Sequence, residues 1–345
     1  MVSPYSLDHP GGVQGQARLL VEWMQQAGLE AWLVAPGESG GPAGTVYLGD
    51  TLRVRTNRSV APIRLAPGTT AAVRQAVAGA DVVNVHEPFV PAVSLAALRA
   101  SGPPRVGTFH ADPGRGVRLL YATGRPLLRR LASNLAAAVA VSPVAAAAIE
   151  PFAGSPRIIP NTIDTAAYRP TMAKQPGRIA FLGRDEPRKG LDGLLAAFGS
   201  LRRSHPAAEL VVMGTRRPDL PGVRFLGTVD DVTKQRELGA ASVFVAPNTG
   251  GESFGLVVLE AMAAHCAVVA SSLPSFQFVA GEAALYAAPG DVSAIEGALE
   301  GLIGDETRAA DYQRRAGERA VTFDGSVAVD AYLKVYAMAV EKRRD

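Results

Sequence analysis

The sequence predicts an α/β chain made of two doubly wound, largely parallel domains. Short apolar runs alternate with longer helical patterns, the mark of parallel βα units rather than of a sandwich or a bundle. The alternation occurs twice. Between the two series lies a polar stretch without hydrophobic periodicity, punctuated by Pro160, Pro170, Pro176 and Gly177, which reads as a linker. The length of 345 residues agrees with about two domains at roughly 150 residues each. Charge changes at the same place: residues 1–165 carry 14 Arg, no Lys and 10 acids, and residues 166–345 carry 21 basic against 22 acidic residues.

In the first half, strands are expected at 31–35, 82–85, 105–109, 138–141 and 157–159, with helices over 13–27, 69–78, 92–100 and 117–132. The alanine-rich segment 135–149 reads as a buried strand and then a helix, because Ser142 and Pro143 interrupt it and it falls short of the ~20 apolar residues that span a bilayer. The second series has strands at 179–182, 210–213, 224–226, 243–246 and 268–270 and ends in helices. No repeat of fixed period relates the halves. The chain opens on Met1-Val2-Ser3-Pro4-Tyr5 directly before a Gly-Gly turn, where such a domain has its first central strand, so that strand is expected to be truncated.

Composition excludes several classes of function. At 48% hydrophobic and 19% charged residues the chain is globular rather than disordered. A net charge of +3 is too small for bulk nucleic-acid binding unless clustered, and no basic run precedes Lys342-Arg343-Arg344. The single cysteine, Cys266, forms no internal disulfide, which fits a reducing compartment, and the five histidines offer no zinc spacing. The N-terminus lacks the basic and apolar regions of a secretory signal, so a cytoplasmic location is expected.

Five segments suggest chemistry. Pro10-Gly11-Gly12-Val13-Gln14-Gly15 precedes a helix, where glycines let main-chain N–H groups approach an anion; it does not fit the dinucleotide fingerprint, and a purely structural turn is an equal alternative. Gly250-Gly251-Glu252-Ser253-Phe254-Gly255, followed by Glu260, places Glu252 at a helix start and Glu260 about two turns further on. The N–H groups of Ser253, Phe254 and Gly255 would face a diphosphate and the two carboxylates sugar hydroxyls, for which acceptor-only groups are suited. Gly183-Arg184-Asp185-Glu186-Pro187-Arg188-Lys189-Gly190 puts cations at the carboxyl end of a strand, where ligands bind in open sheets; a solvated charged loop is the alternative. Val229-Asp230-Asp231-Val232-Thr233-Lys234 combines an acceptor and a donor complementary to guanine, although helix capping by Asp230 or Asp231 explains the acids equally well. His110, in Thr108-Phe109-His110, ends a buried strand, where a core role is common.

Together these pieces resemble the retaining family-4 glycosyltransferases of the GT-B fold. The resemblance extends over nearly the whole chain, through PYSLDHPGGVQ, HEP at 86–88, TFH at 108–110, AVSP at 140–143, PNTID at 160–164, GRDEPRKG, VDDVTK, and GGESFG with LEAMAA. The Glu-x7-Glu spacing is characteristic of such transferases, and VDDVTK with GGESFG narrows the likeness to the mannosyltransferase group. It implies two Rossmann-like domains facing a central cleft: an acceptor-side domain at 1–163, with the helix 324–345 packing back on it, and a nucleotide-sugar-binding domain at 164–323. It also implies transfer of mannose from GDP-mannose to the inositol ring of phosphatidylinositol, at the cytoplasmic face of the plasma membrane, with no tightly bound cofactor. Under it Arg184 and Lys189 stabilise the leaving GDP, Glu252 orients the mannose and Glu260 holds the ribose. Val229, Asp231 and Lys234 receive guanine; Gly12, Gly251, Ser253, Phe254 and Gly255 approach the donor; His110 sits by the reacting sugar; Tyr5, Gln14, Arg64 and Arg115 serve the acceptor. No Asp-x-Asp motif calls for a metal.

The sequence departs from the family on the acceptor side. The segment 67–77, a strongly basic amphipathic helix in the family, keeps only Arg74, and at about 1 kcal/mol per basic residue near an anionic surface that removes much of the adhesion. Pro62 stands where an Arg is expected, with Arg58 and Arg64 near, and Ala111 replaces a hydroxyl. The loop before Arg188 is one residue shorter. Two rival expectations follow: a related transferase with another sugar nucleotide or a soluble acceptor, and an inactive sugar-nucleotide-binding protein.

Overall fold

The computed structural model describes residues 1–345 apart from 10, 50, 57–58, 65, 111–120, 122 and 345; within strands and helices, the side chains of 52–63 and of 343–344 are also left out. The chain divides into two compact units, Met1–Thr162 with Gly325–Asp345, and Ile163–Asp324.

In the first unit the order is α1 (Gly12–Gln26), β1 (Val34–Ala35), β2 (Val46–Tyr47), β3 (Leu52–Thr56), β4 (Ser59–Ile63), α2 (Thr69–Val77), β5 (Val83–His86), α3 (Val93–Leu98), β6 (Arg105–Phe109), α4 (Arg125–Ala132), β7 (Ala137–Ala140), α5 (Pro143–Ala153) and β8 (Arg157–Ile158). Val2 makes parallel bridges to both Val34 and Val85. The Val2 N–H donates to the Asn84 carbonyl and the Ser3 N–H to that of Val34. Residues 1–3 thus fill the place of the first strand, and the parallel sheet runs β2, β1, residues 1–3, β5, β6, β7, β8. The antiparallel hairpin of β3 and β4 was not anticipated: Leu52-Arg53-Val54-Arg55 does alternate as a strand does, but the run is short and Pro62 in its partner argues against a strand. The last helix of the chain, Gly325–Arg344, belongs to this unit. Its Val329, Tyr332, Val335 and Ala339 join Leu20, Met24, Val106 and Val139 in one buried cluster, and its Tyr336 hydroxyl accepts from Asn84 Nδ2 at 2.8 Å.

The second unit contains α6 (Thr165–Tyr168), β9 (Gln175–Leu182), a 3-10 turn (Pro187–Lys189), α7 (Leu191–Ser204), β10 (Glu209–Met213), β11 (Val223–Gly227), α8 (Asp231–Ala240), β12 (Ala241–Ala246), α9 (Leu256–Ala263), β13 (Ala267–Ser271), α10 (Pro274–Ala280), β14 (Ala284–Ala287), α11 (Val292–Ile303) and α12 (Glu306–Val321); the Gly325–Arg344 helix is α13. Its sheet is parallel in the order β11-β10-β9-β12-β13-β14. Strands β12 and β13 are buried on both faces, as expected for a sheet with helices on either side. Phe181, Phe198 and Phe244 are fully buried, each contributing about 2–3 kcal/mol of transfer free energy.

Numbered from its first strand, the second sheet reads 3-2-1-4-5-6, and the first reads the same with β8 added at the edge as a seventh strand. That order creates a switch point between strands 1 and 4, outside whose carboxyl ends ligands bind. In the first unit the switch point lies between residues 1–3 and β5, and in the second between β9 and β12. Among the described residues no helix is long and apolar enough to cross a membrane.

Candidate functional site

In the second unit the loops leaving β9 and β12 meet at the switch point. The Thr249 N–H donates to the Arg188 carbonyl at 2.8 Å, and Arg188 Nη1 to the Gly251 carbonyl at 3.0 Å. Gly190 opens α7 and Gly255 opens α9, both in the left-handed conformation and neither with a side chain to cap the helix. The first N–H groups of both helices therefore lack the side-chain partners that Asp230, Asp291 and Asp305 supply at α8, α11 and α12, which leaves them suited to an anion.

Two lysine–carboxylate pairs flank this place. Lys189 Nζ lies 3.0 Å from Glu252 Oε2 with both side chains largely buried, and Asn248 Nδ2 donates to the same oxygen at 3.2 Å. Lys234 Nζ lies 2.7 Å from Glu260 Oε1 and 2.9 Å from Asp231 Oδ1, and the Tyr168 hydroxyl donates to Glu260 Oε1 at 2.9 Å. Burial opposes the Lys234 charge, yet Glu260 and Tyr168 hold its pKa above the ordinary value. Burial, and then Glu260, raise the Tyr168 phenol. Carboxyl groups beside ammonium groups and glycine-rich main chain can bind a ligand that combines hydroxyls with phosphate.

The structure redistributes several expected roles. Arg184 turns its Nε to Glu186 at 3.0 Å and is 60% exposed, while Glu186 also takes Arg188 at 2.7 Å; Arg184 and Lys189 thus share a loop but not a partner. Asp230 is the cap of α8, accepting from the Thr233 N–H at 2.7 Å, and Asp231 is left exposed with Val229 half-buried beside it. Phe254 is core: its ring packs edge-on against Phe278 and Phe323, so only its main chain can face a ligand. Because α9 begins at Leu256, Glu260 stands just over one turn into that helix rather than two. Tyr168, Asn248 and Arg217 were not anticipated, and Arg188 was read only as one cation of its loop. Arg217 joins Asp185 at 2.9 Å and Asp192 at 2.6 Å, fixing the Arg184 loop from a position no local motif marks.

In the first unit, Gly12 begins α1 in an exposed turn. Gln14 is buried, with Nε2 donating to the His9 carbonyl at 2.9 Å. Tyr5 is half-buried, and burial, with Glu87 and Tyr121, raises its phenol pKa. Arg64 donates from Nε to Thr69 Oγ1 at 3.2 Å, at the start of α2. Ala111 and Arg115 lie outside the described residues, as do Arg58 and the opening of the helix expected at 117–132. Without forming a basic run in sequence, Arg125, Arg129 and Arg130 share the short surface helix α4 with no acid. Among the described residues no group of His, Cys, Asp and Glu is arranged to hold a metal ion.

His110 follows β6, buried, with its main-chain N–H donating to Glu87 Oε1 at 2.7 Å. Burial lowers its pKa from 6.5 to about 4, against an opposing contribution from Asn161. Between those values the unfolded chain binds the proton more readily, so the stability due to the neutral ring is complete above about pH 6.5 and is lost as pH falls toward 4. Acidification from pH 7 to 5 is expected to cost about 2 kcal/mol through this residue. Urea unfolding at both pH values tests this: His110→Gln should flatten the dependence, and an identical dependence in the variant would refute it.

Two Rossmann-like units of one strand order, the second with paired lysines and carboxylates at its switch point, define a glycosyltransferase of the GT-B class. Residues 10–167 match the family described as Glycosyltransferase Family 4, and residues 176–305 that described as Glycosyl transferases group 1. The chain belongs to glycosyltransferase family 4. It is 38% identical to the phosphatidyl-myo-inositol mannosyltransferase of Mycolicibacterium smegmatis, over 97% of this chain and 92% of that protein. It is 34% identical to the protein of that name from Mycobacterium leprae, over 97% and 95%. Among solved structures it is similar to sucrose-phosphate synthase from Thermosynechococcus elongatus, with a TM-score of 0.73, 20% identity and 97% of each chain covered. It is also similar to Anabaena Alr3699/HepE in complex with UDP and glucose, with a TM-score of 0.71, 16% identity and coverage of 97% and 98%. At such identities these two likenesses carry the fold alone.

Proposed function

We propose that the chain transfers mannose from GDP-mannose to the inositol ring of phosphatidylinositol, with retention of anomeric configuration. The observation that carries this reading is the pair of lysine-held carboxylates, Lys189–Glu252 and Lys234–Glu260, beside the switch point of the second unit; the names and similarity of the mannosyltransferase relatives support the choice of substrates.

In the reaction the bond from the anomeric carbon to the diphosphate breaks, an inositol oxygen takes its place on the same face, and the inositol proton leaves on the departing phosphate. The residues position the reactants and stabilise charge. Lys189 and Arg184 neutralise the leaving GDP, assisted by main-chain N–H groups along Gly251, Ser253, Phe254 and Gly255 and by Gly12. Glu252 orients the mannose, Glu260 binds the ribose, and Val229, Asp231 and Lys234 receive guanine, with Lys234 linking the base and ribose ends. His110 meets the reacting sugar, while Tyr5, Gln14, Arg64 and Arg115 serve the acceptor. Asp231→Ala is expected to weaken GDP binding about tenfold and UDP binding less, by calorimetric titration; equal loss for both nucleotides would remove the guanine assignment.

The whole reading is tested by incubating the protein with GDP-mannose and phosphatidylinositol liposomes and looking for mannosylated lipid by mass spectrometry, with GDP-induced thermal stabilisation as the folding control. A soluble acceptor is the second reading, favoured by the single cation, Arg74, on α2. GDP stabilisation without lipid product, but with mannosylated inositol phosphate, would select it.

A further inference from the structure

The first unit buries two imidazoles against each other at the carboxyl ends of β5 and β6. His86 is 1% exposed and His110 6%. Their rings lie nearly coplanar and edge to edge, with centroids 5.0 Å apart and planes inclined by 21°, and His86 Nδ1 lies 2.8 Å from His110 Nε2. Two ring nitrogens at that distance share one proton. Burial disfavours charge on both rings, so each neutral ring carries one proton and the contact couples their tautomers. If His86 Nδ1 donates, His110 must be protonated at Nδ1; if His110 Nε2 donates, its Nδ1 is bare.

The surroundings indicate which arrangement serves a ligand. His110 Nδ1, His86 Nε2 and Asn161 Oδ1 are buried without a hydrogen bond, and Asn161 lies close enough to His110 to favour its protonated form. His86 Nε2 has no such neighbour, and a buried nitrogen left unmet costs stability that a purely structural pair would not retain. His86 itself is held firmly: its N–H donates to the Val2 carbonyl at 2.9 Å and its carbonyl accepts from Ser94 Oγ at 2.7 Å. The next residue, Glu87, adopts φ +47, rare for a residue with a side chain, and from there its carboxylate takes the His110 N–H. His86 and Glu87 therefore grip His110 by its ring and by its main chain.

We propose that His86 is a positioning residue for sugar transfer: it donates from Nδ1 to His110 Nε2, so that His110 presents a protonated Nδ1 toward Asn161 and the sugar. The inference rests on the reading that His110 meets the reacting sugar. His86→Phe keeps an aromatic ring beside His110 but removes the nitrogen; His86→Asn places an amide near the position of Nδ1. In the full-length protein with GDP-mannose and phosphatidylinositol liposomes, His86→Phe is expected to lower kcat on the order of a hundredfold with the KM for GDP-mannose little changed. His86→Asn should recover most of that loss, and nitrogen-15 spectra should show one His110 tautomer in the wild type and a mixture in His86→Phe. Wild-type turnover in folded His110→Ala would overturn the reading of His110, and this inference with it. Loss of activity in His110→Ala together with wild-type kcat in His86→Phe would overturn the inference alone. Equal losses in His86→Phe and His86→Asn, tracking lost thermal stability, would also overturn it by reducing the pair to packing.

Discussion

Lys189→Ala is expected to lower the turnover of sugar transfer by about 100- to 1,000-fold in a chain that still folds. Lys189 is the cation in direct contact with Glu252, at 3.0 Å, beside two uncapped helix starts, where a departing diphosphate needs positive charge that is already in place. Removing it withdraws that charge and loosens Glu252, which keeps only the Asn248 amide of its two polar contacts described above. Glu252→Ala should cost a similar factor through loss of sugar orientation. Because the two side chains act as a unit, the double variant should fall little below either single one. Single-turnover rates and thermal melting of the three variants check this: wild-type rates in a folded variant remove that residue from the site, and strict additivity separates their roles.

Gly190→Ala is expected to destabilise the second unit by about 3 kcal/mol or more, or very roughly 10 °C in melting temperature for a unit of this size. Gly190 has φ +70, and a Cβ there would stand 2.0 Å from the Pro247 carbonyl oxygen. The obstacle is main chain, so either the start of α7 or the loop after β12 must move. Those are the two loops bearing Lys189 and Glu252, so transfer activity should fall together with stability. Asn, which tolerates the left-handed region, should not rescue position 190, because its Cβ meets the same oxygen. The contrast is Gly68→Asn, which lies in the left-handed region at φ +81 and ψ −9 with nothing within 4 Å of its Cβ position and should cost no more than about 1 kcal/mol. Denaturation of the three variants decides between clash and torsion, and a neutral Gly190→Ala would show that the loops shift freely.

Much of this organisation was legible in the residues. The strand expected at 105–109 forms over those positions as β6, and that at 179–182 lies within β9, because continuous apolar runs buried on both sides have few alternative structures. Strand 31–35 shrank to Val34–Ala35, since ladder pairing with β2 and Val2 reaches only there. The Leu-Arg-Val-Arg alternation of β3 was a readable signal, but it is short and its partner β4 carries Pro62. Within the site, glycine and glutamate spacing marked the Glu252 loop and Glu260, whereas Tyr168 and Asn248 carried no motif.

The α/β class and the short stretches where charge follows a strand can be read from the residues alone. Those are local properties: hydrophobic period, turn residues and spacing act within a few residues of one another. Only the tertiary structure decided who meets whom. Lys234 and Glu260 stand 26 positions apart, Lys189 and Glu252 63, and Asn84 finds Tyr336 across 252. Such partners are chosen by strand order and helix packing, which bring distant chain segments together and bury their polar groups where each must find a partner. Whether an acid caps a helix, as Asp230 does, or remains exposed, as Asp231 does, follows from where the helix begins, and the Asp-Asp pair alone carries no sign of that boundary.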